Sequence, residues 1–239
     1  MLLTDAQRAR IQAIFQRFLE GRVRNVERLT LDQLKFNVIA LRTSAPMLEL
    51  DDPTALLRYR LAQNLERSSV TAMGSALQQV AREIAGQGTG VAGADIMLER
   101  DGRRYYIQVK SGPDTANKDI AQNIATLLNS ARARDPEAIC LLGVCYGRPE
   151  QISPIARGEL TNRGVGLRVG REFWEFISGN PDCMADVLEL AGAAASSADE
   201  APFAERVERR LDALAADFMI RYGRTLDDDT WARFLADNS

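Results

Sequence analysis

The sequence contains no histidine. Catalysis by a Ser-His-Asp or Cys-His arrangement is therefore excluded, and so are metal sites that depend on imidazole ligands. Any enzymatic chemistry must rest on Asp, Glu, Lys, Ser or Tyr side chains, or on a bound metal ion with oxygen ligands.

Cysteine is scarce, and long apolar runs are missing. Cys140, Cys145 and Cys183 form no CxxC pair, so the sequence predicts reduced, buried thiols rather than disulfides or a metal knuckle. No apolar run reaches the roughly 18 residues that a membrane span requires, and the first residues lack a signal-peptide pattern. These features predict a soluble, cytoplasmic protein without a membrane partner.

The net charge is −3 and the pI is about 5.3, which does not by itself indicate a nucleic-acid binder. The charge is uneven, however. Residues 1–70 contain 11 Lys and Arg against 8 Asp and Glu, whereas residues 189–239 contain 6 against 11. An acidic protein can still present a basic cleft to DNA, so the total charge decides little.

Apolar periodicity predicts that the first 85 residues are mostly helical. Asp52 and Pro53 are typical of a helix start, as N-cap and first helical residue. The glycine-rich segment 86–93 lacks the GK[ST] of a phosphate loop, which favours a simple turn. The predicted helices span residues 5–20, 31–43, 53–66 and 68–85.

The segment ADIMLERDGRRYYIQVK (residues 94–110) predicts a β-hairpin. Asp101-Gly102 is a strong signal for a two-residue turn, and with that turn Asp95 lies opposite Gln108. Because side chains alternate along a strand, one face is apolar. The other face is mostly polar and carries Asp95, Met97, Glu99, Arg104, Tyr106, Gln108 and Lys110.

The remaining segments complete an α/β pattern. A central mixed β-sheet flanked by helices, with helical N- and C-terminal additions, is the predicted fold. We divide it into a helical N-terminal region (1–70) for DNA contact or dimerisation, a core (71–192) and a C-terminal helical region (193–239). Strands are predicted at 138–147 and 165–170, helices at 114–133, 171–179, 184–192, 203–221 and 227–237, and a linker at 193–202.

The polar face of the hairpin has the residue types for phosphodiester hydrolysis. An Asp carboxylate and a Gln carbonyl at cross-strand distance can share one hard cation such as Mg²⁺. Lys110, two residues after Gln108, can stabilise charge or position water near that cation. An ordinary hairpin with one face in solvent remains the alternative explanation.

The order of these elements resembles the PD-(D/E)XK nuclease core, in which an Asp begins one strand and (D/E)-x-K ends the next. Here Ala94-Asp95 precedes Gln108-Val109-Lys110 by twelve residues. KSGPDTANKD (110–119), GREFWEFISGNPD (170–182) and MGSALQQVA (73–81) are similar to segments of type II restriction endonucleases, particularly the PmeII-type group. Ala94 replaces the usual Pro, and Gln108 replaces the usual acidic residue, which removes one negative charge.

The resemblance implies a restriction-endonuclease-like core and roles for individual residues. Catalysis is expected at Asp95, Gln108 and Lys110, with Glu83 of the preceding helix as a further carboxylate. The helix position where the family has Glu aligns with Gln78. The expected metal-binding residues are Asp95, Gln108 and Val109, and the expected DNA-binding residues are Ser111, Asn117 and Lys118.

The function implied is that of a type II site-specific deoxyribonuclease of a restriction-modification system. It would cleave double-stranded DNA with Mg²⁺ as a homodimer in a prokaryotic cell, beside a methyltransferase that is a genetic, not a physical, partner. Two alternatives stay open: a non-specific, modification-dependent or repair nuclease of the same fold, and a catalytically inactive DNA-binding module.

Overall fold

The structure is a computed structural model that describes residues 2–86, 91–113, 117–196 and 202–238. The chain forms two compact units. The first comprises Met1–Phe18 and Ala72–Ser197, and the second comprises Leu19–Thr71 and Ala198–Ser239. No helix in the described part of the chain is both long and apolar enough to cross a membrane.

A four-stranded mixed sheet lies at the centre of the first unit. Its strands are β1 (Ile96–Arg100), β2 (Arg103–Lys110), β3 (Ile139–Val144) and β4 (Val165–Val169), in that order across the sheet. The pair β1–β2 is antiparallel, whereas β2–β3 and β3–β4 are parallel. β3 has a short, continuous apolar sequence, as expected for a strand that is covered on both faces.

The turn between β1 and β2 confirms the predicted hairpin. Asp101 and Gly102 have φ values of 50° and 70°, a left-handed pair that matches the twist of the flanking strands. The ladder runs from the Ile96–Ile107 pair to the Arg100–Arg103 pair, which is the predicted register. It ends one residue before the predicted pairing of Asp95 with Gln108.

Helices cover both faces of the sheet. α4 (Lys118–Arg132) and α5 (Pro154–Asn162) pack on the face that carries Tyr106, Cys140, Leu142 and Val144. On the other face Phe173 of α6 (Arg171–Ser178) lies against Gly143, where no side chain blocks it. α7 (Cys183–Ser196) follows, and the unit also contains the start of α1 (Asp5–Arg28) and the end of α3 (Pro53–Ala85).

Part of the hairpin's polar face is buried in the core and is not exposed to solvent. Tyr106 is only 4% exposed, and Met97 also packs against the apolar cluster beneath α4. The phenol of Tyr106 is satisfied at the edge of this cluster by donating to Asp135 at 3.1 Å. The middle of the polar face, at Met97 and Tyr106, is therefore part of the core, whereas Glu99 and Arg104 near the turn are exposed and Gln108 and Lys110 at the other end are half-buried.

The second unit is helical in its described residues. It contains the rest of α1 and α3, with α2 (Val38–Ser44), α8 (Phe203–Arg221) and α9 (Asp228–Ala236). Its apolar cluster joins leucines such as Leu56, Leu57 and Leu61 to an aromatic group formed by Phe218, Phe234 and their neighbours. The Oδ1 of Asp227 caps α9 by accepting from Thr230 N at 2.9 Å.

Several predicted helix boundaries are wrong. The helices predicted at 53–66 and 68–85 are one helix, α3, because Arg67 and Ser68 do not interrupt it. Residues 31–43 form a 3₁₀ turn (Leu31–Gln33) and most of the short α2, separated by a non-helical segment. α5, which begins at Pro154 after the N-cap Ser153, was not predicted, and α7 continues into the predicted linker.

Two predictions fall partly outside the described residues: the glycine-rich turn and the start of the helix after β2 at Asp114. The functional roles assigned to regions 1–70, 71–192 and 193–239 stay predictions. The α/β class, with a mixed sheet flanked by helices, is confirmed.

Candidate active site

The start of β1 meets helix α3 at Asp95. Arg82 donates from Nη2 to Asp95 Oδ1 at 3.0 Å and from Nε to the Asp95 carbonyl at 3.3 Å. The other carboxylate oxygen, Oδ2, accepts from the main-chain N–H of Val109 at 2.8 Å. The Asp95 side chain is 19% exposed and that of Arg82 is 38% exposed, so solvent partly screens this ion pair.

The end of β2 explains why Asp95 turns toward Val109. The N–H of Asp95 donates to the Ile107 carbonyl at 2.8 Å, one residue short of Gln108, and β1 begins only at Ile96. Main-chain groups of residues two apart in a strand point the same way. The N–H and carbonyl of Val109 therefore point to the same side as those of Ile107, toward β1, but beyond the point where β1 begins. The Asp95 carboxylate satisfies its N–H, and Gln78 Nε2 donates to its carbonyl at 2.9 Å.

Gln108 and Lys110 flank Val109 on the opposite face of the strand. Gln108 Nε2 donates to the Gly93 carbonyl at 2.9 Å, while its Oε1 accepts no hydrogen bond from the described residues. Gly93 has a φ of 99°, and an added Cβ would lie 2.6 Å from the Leu127 carbonyl, so a glycine is required there. The half-buried Lys110 ammonium has no hydrogen bond or ion pair with any residue that the structure describes.

The Cys145 thiol is buried close to this site, and its pKa is affected by the Asp95 charge. Cys145 follows β3, and its N–H donates to the Lys110 carbonyl at 2.9 Å. Burial, and then the negative charge of Asp95, raise the pKa of the Cys145 thiol to about 12. Cys145 is therefore a neutral, buried side chain at neutral pH and not a nucleophile.

The remaining predicted residues lie elsewhere or have other partners. Glu83 accepts from Arg10 Nε of α1 at 2.7 Å, on a different side of α3 from Gln78 and Arg82. Asn117 caps α4 by accepting from Ile120 N at 2.9 Å. Ser111 is half-buried, with its carbonyl bonded to Tyr146 N at 3.1 Å, and Lys118 is exposed at the start of α4.

The structure thus brings together Asp95, Gln78 and the main chain of Val109, while the side chains of Gln108 and Lys110 lie on the face of β2 opposite to the Val109 side chain. Arg82 was not predicted, although it lies four residues after Gln78, a spacing that places two side chains on one face of a helix. The functional roles of all the predicted site residues, including Asp95, Gln108 and Lys110, stay predictions.

The donor set fits Mg²⁺ in chemistry. Asp95 offers a carboxylate, Gln108 an amide oxygen and Val109 its main-chain oxygen, and Mg²⁺ takes one or two carboxylates while keeping several waters. No cluster of three acidic or cysteine side chains suited to a metal occurs among the described residues. One carboxylate would therefore carry the anionic charge, and Arg82 competes with a cation for it.

Residues 8–199 match the family described as type II restriction endonuclease EcoO109I. The chain belongs to this family of restriction endonucleases. Membership identifies the protein as a nuclease, a hydrolase acting on DNA, while the more detailed PmeII-type resemblance stays a prediction. None of the curated proteins matches the chain.

Proposed function

We propose that this protein is a Mg²⁺-dependent type II restriction endonuclease, which hydrolyses phosphodiester bonds at a specific double-stranded DNA sequence. The arrangement at the end of β2 supports this proposal most directly. Asp95 bonds to the N–H of Val109, and Gln108 and Lys110 flank Val109 in the strand. The Asp95 carboxylate thus meets the end of β2, which supplies two neutral oxygens and an ammonium that has no partner among the described residues, in a nuclease family member.

Each residue has a distinct role in the proposed reaction. Asp95, Gln108 and Val109 would hold the cation, which supplies Lewis-acid polarisation of the scissile phosphate when bound. Lys110 donates hydrogen bonds to the water that attacks phosphorus or to a phosphate oxygen, and its charge offsets the negative charge that develops there. Cleavage would leave 5′-phosphate and 3′-hydroxyl ends, as in enzymes that this chain resembles.

The DNA contacts and assembly are part of the same proposal. Ser111, Asn117 and Lys118 lie near the end of β2 and the start of α4, where polar side chains can reach phosphate oxygens or base edges. Cutting both strands of a symmetric site calls for two active sites, which a homodimer supplies. A methyltransferase encoded nearby would protect the host DNA.

Digestion of unmethylated phage DNA with the purified protein tests the proposal. Reactions contain Mg²⁺ or EDTA, and Lys110→Ala is compared with wild type. Arg134→Ala is the matched control, because it removes one positive charge from an exposed position just after α4, to which no role in DNA binding or catalysis is assigned. We expect discrete fragments that need Mg²⁺, persist with Arg134→Ala and disappear with Lys110→Ala.

The other outcomes separate the alternative functions. A Mg²⁺-dependent smear indicates a nuclease without strict sequence specificity. Absence of cleavage on several methylated and unmethylated DNAs, with retained DNA binding, indicates an inactive binding module. Unchanged cleavage by Lys110→Ala contradicts the role of this residue in the reaction.

A further inference from the structure

A cavity in the second unit has an unusual balance of charge. Its volume is about 420 Å³, within the range of small-molecule binding pockets, roughly 300–1,000 Å³. Three cationic side chains line it, from Lys35, Arg60 and Arg67, and its lining, which lies wholly within the described residues, includes no Asp or Glu. In a chain with net charge −3, this grouping of one sign is notable.

The three cations are not neutralised by ion pairs. Among the described residues, Lys35 and Arg67 form no ion pair, although arginines elsewhere in the unit, such as Arg58 with Glu208, are paired. Arg60 is held by neutral acceptors, the Lys35 carbonyl at 2.7 Å and Gln63 Oε1 at 2.9 Å. Arg60 and Arg67 lie seven residues apart on α3, about two helical turns, and both line the cavity. Burial, followed by the charge of Arg67, lowers the pKa of Arg60.

The cavity also has an aromatic wall. Phe36 and Tyr59 line it and pack against the apolar cluster of the unit. Phe36 is fixed by an edge-to-face contact with Phe234, with ring centroids 4.9 Å apart. The Tyr59 hydroxyl has no hydrogen-bond partner among the described residues, and is available to a ligand.

We infer that this cavity binds a nucleotide phosphate, with the sugar or base of the nucleotide against Phe36 and Tyr59. The cations match a phosphate in charge, and guanidinium groups match its geometry. The space is larger than a bare phosphate needs, and nucleic-acid bases stack on aromatic rings. This inference rests on the proposed action on DNA for its choice of nucleotide over other phosphates, and the ligand is either DNA or a free nucleotide.

Charge reversal in the full-length protein tests this site. Lys35→Glu/Arg67→Glu is compared with Arg28→Glu/Arg224→Glu, which makes the same change in charge at exposed positions of the same unit outside the cavity. Fluorescence anisotropy measures binding of a labelled duplex at several salt concentrations in EDTA. Isothermal titration measures binding of deoxythymidine monophosphate. Arg60→Gln, which keeps a polar side chain, is measured as a second variant.

If DNA is the ligand, we expect the cavity variant to bind the duplex at least about tenfold more weakly, with the salt slope lower by about 0.9 for each lost phosphate contact. If the ligand is a free nucleotide, only the binding of the monophosphate is lost. Equal loss in the control variant, or no loss with either ligand, overturns the inference. DNA cleavage by the wild-type protein is measured in parallel. If the wild-type protein cleaves no DNA but the cavity variant still loses ligand binding, only the proposed enzymatic function is contradicted.

Discussion

The hairpin site of the first unit and the cationic cavity of the second differ in whether their charged side chains have partners of opposite charge. At the hairpin the carboxylate of Asp95 is already matched, by Arg82 and by the N–H of Val109. In the cavity Lys35 and Arg67 have no carboxylate partner among the described residues. A cation must therefore compete for the first site, whereas an anion meets no competitor in the second. Metal binding and DNA binding should respond to different substitutions.

The largest effect that separates the two regions is expected from Asp95→Asn. Removing the charge takes away the only carboxylate among the proposed metal-binding residues, so cleavage should fall by roughly 100-fold or more, as expected when a metal centre loses a ligand. Binding of duplex DNA in EDTA should change less than about threefold, because Asp95 makes no part of the cationic cavity. Cleavage rate and anisotropy of the same preparation measure both quantities.

The cavity variant Lys35→Glu/Arg67→Glu is the matched comparison for Asp95→Asn. If DNA is the ligand of the cavity, this variant should weaken binding of the duplex while the cleavage rate at saturating DNA stays close to wild type. If Asp95→Asn lowers DNA affinity as strongly as the cavity variant does, then metal binding and DNA binding do not depend on separate regions.

A smaller, opposite effect is expected from Gln108→Glu. An added carboxylate should raise Mg²⁺ affinity about tenfold, since one more unit charge near a cation is worth at least about 1.4 kcal/mol at the effective dielectric of a protein surface. The variant loses the donor to the Gly93 carbonyl, which should cost about 1–3 kcal/mol of unfolding free energy without metal. Titration calorimetry with Mg²⁺ and thermal unfolding with and without Mg²⁺ measure these effects.

Asn123→Asp is the control for Gln108→Glu, because it adds the same charge at an exposed position of α4. Its Mg²⁺ affinity should equal that of wild type. A gain of the same size in both variants would mean that the general negative charge, and not the position of residue 108, strengthens metal binding.

Arg82→Met tests competition at Asp95 directly. Loss of the guanidinium frees Oδ1, so Mg²⁺ should bind about 1.4- to fivefold more tightly, which corresponds to the 0.2–1 kcal/mol typical of partly exposed ion pairs. Arg10→Met is the matched control, since it breaks a similar pair, with Glu83, on another side of α3. Unchanged Mg²⁺ affinity in Arg82→Met, measured by Mn²⁺ electron paramagnetic resonance or calorimetry, would contradict the competition.

The hairpin could be predicted from the sequence because its determinants are local. Asp101-Gly102 fixes the turn, and the turn fixes the register from Ile96 to Arg103. The contact of Asp95 with Val109 was not predictable in the same way. It depends on where β1 ends and on Arg82 and Gln78 of a distant helix, whose approach is set by tertiary packing.

The sequence predicts the helices of the second unit but not the cavity that they form. Apolar periodicity indicated helices before and after the core, yet Lys35 and Phe36 lie in a non-helical segment before α2, within a predicted helix. Lys35 of this segment and Arg60 of α3 line one cavity. Three cations separated by 32 residues give no sequence pattern, and their grouping becomes visible only in the folded unit.

A further modest effect, on the side of the cavity, concerns the Tyr59 hydroxyl. If the cavity holds a nucleotide phosphate through its cations and the base or sugar through its rings, Tyr59→Phe keeps both contacts and removes one hydrogen bond. Affinity for the ligand that the cavity variant loses should then fall by about two- to tenfold, the equivalent of roughly 0.5–1.5 kcal/mol for one neutral hydrogen bond. Tyr59→Ala should lose more than Tyr59→Phe, because it also removes the ring. Equal losses in the two variants would assign the hydroxyl, and not the aromatic surface, to ligand recognition.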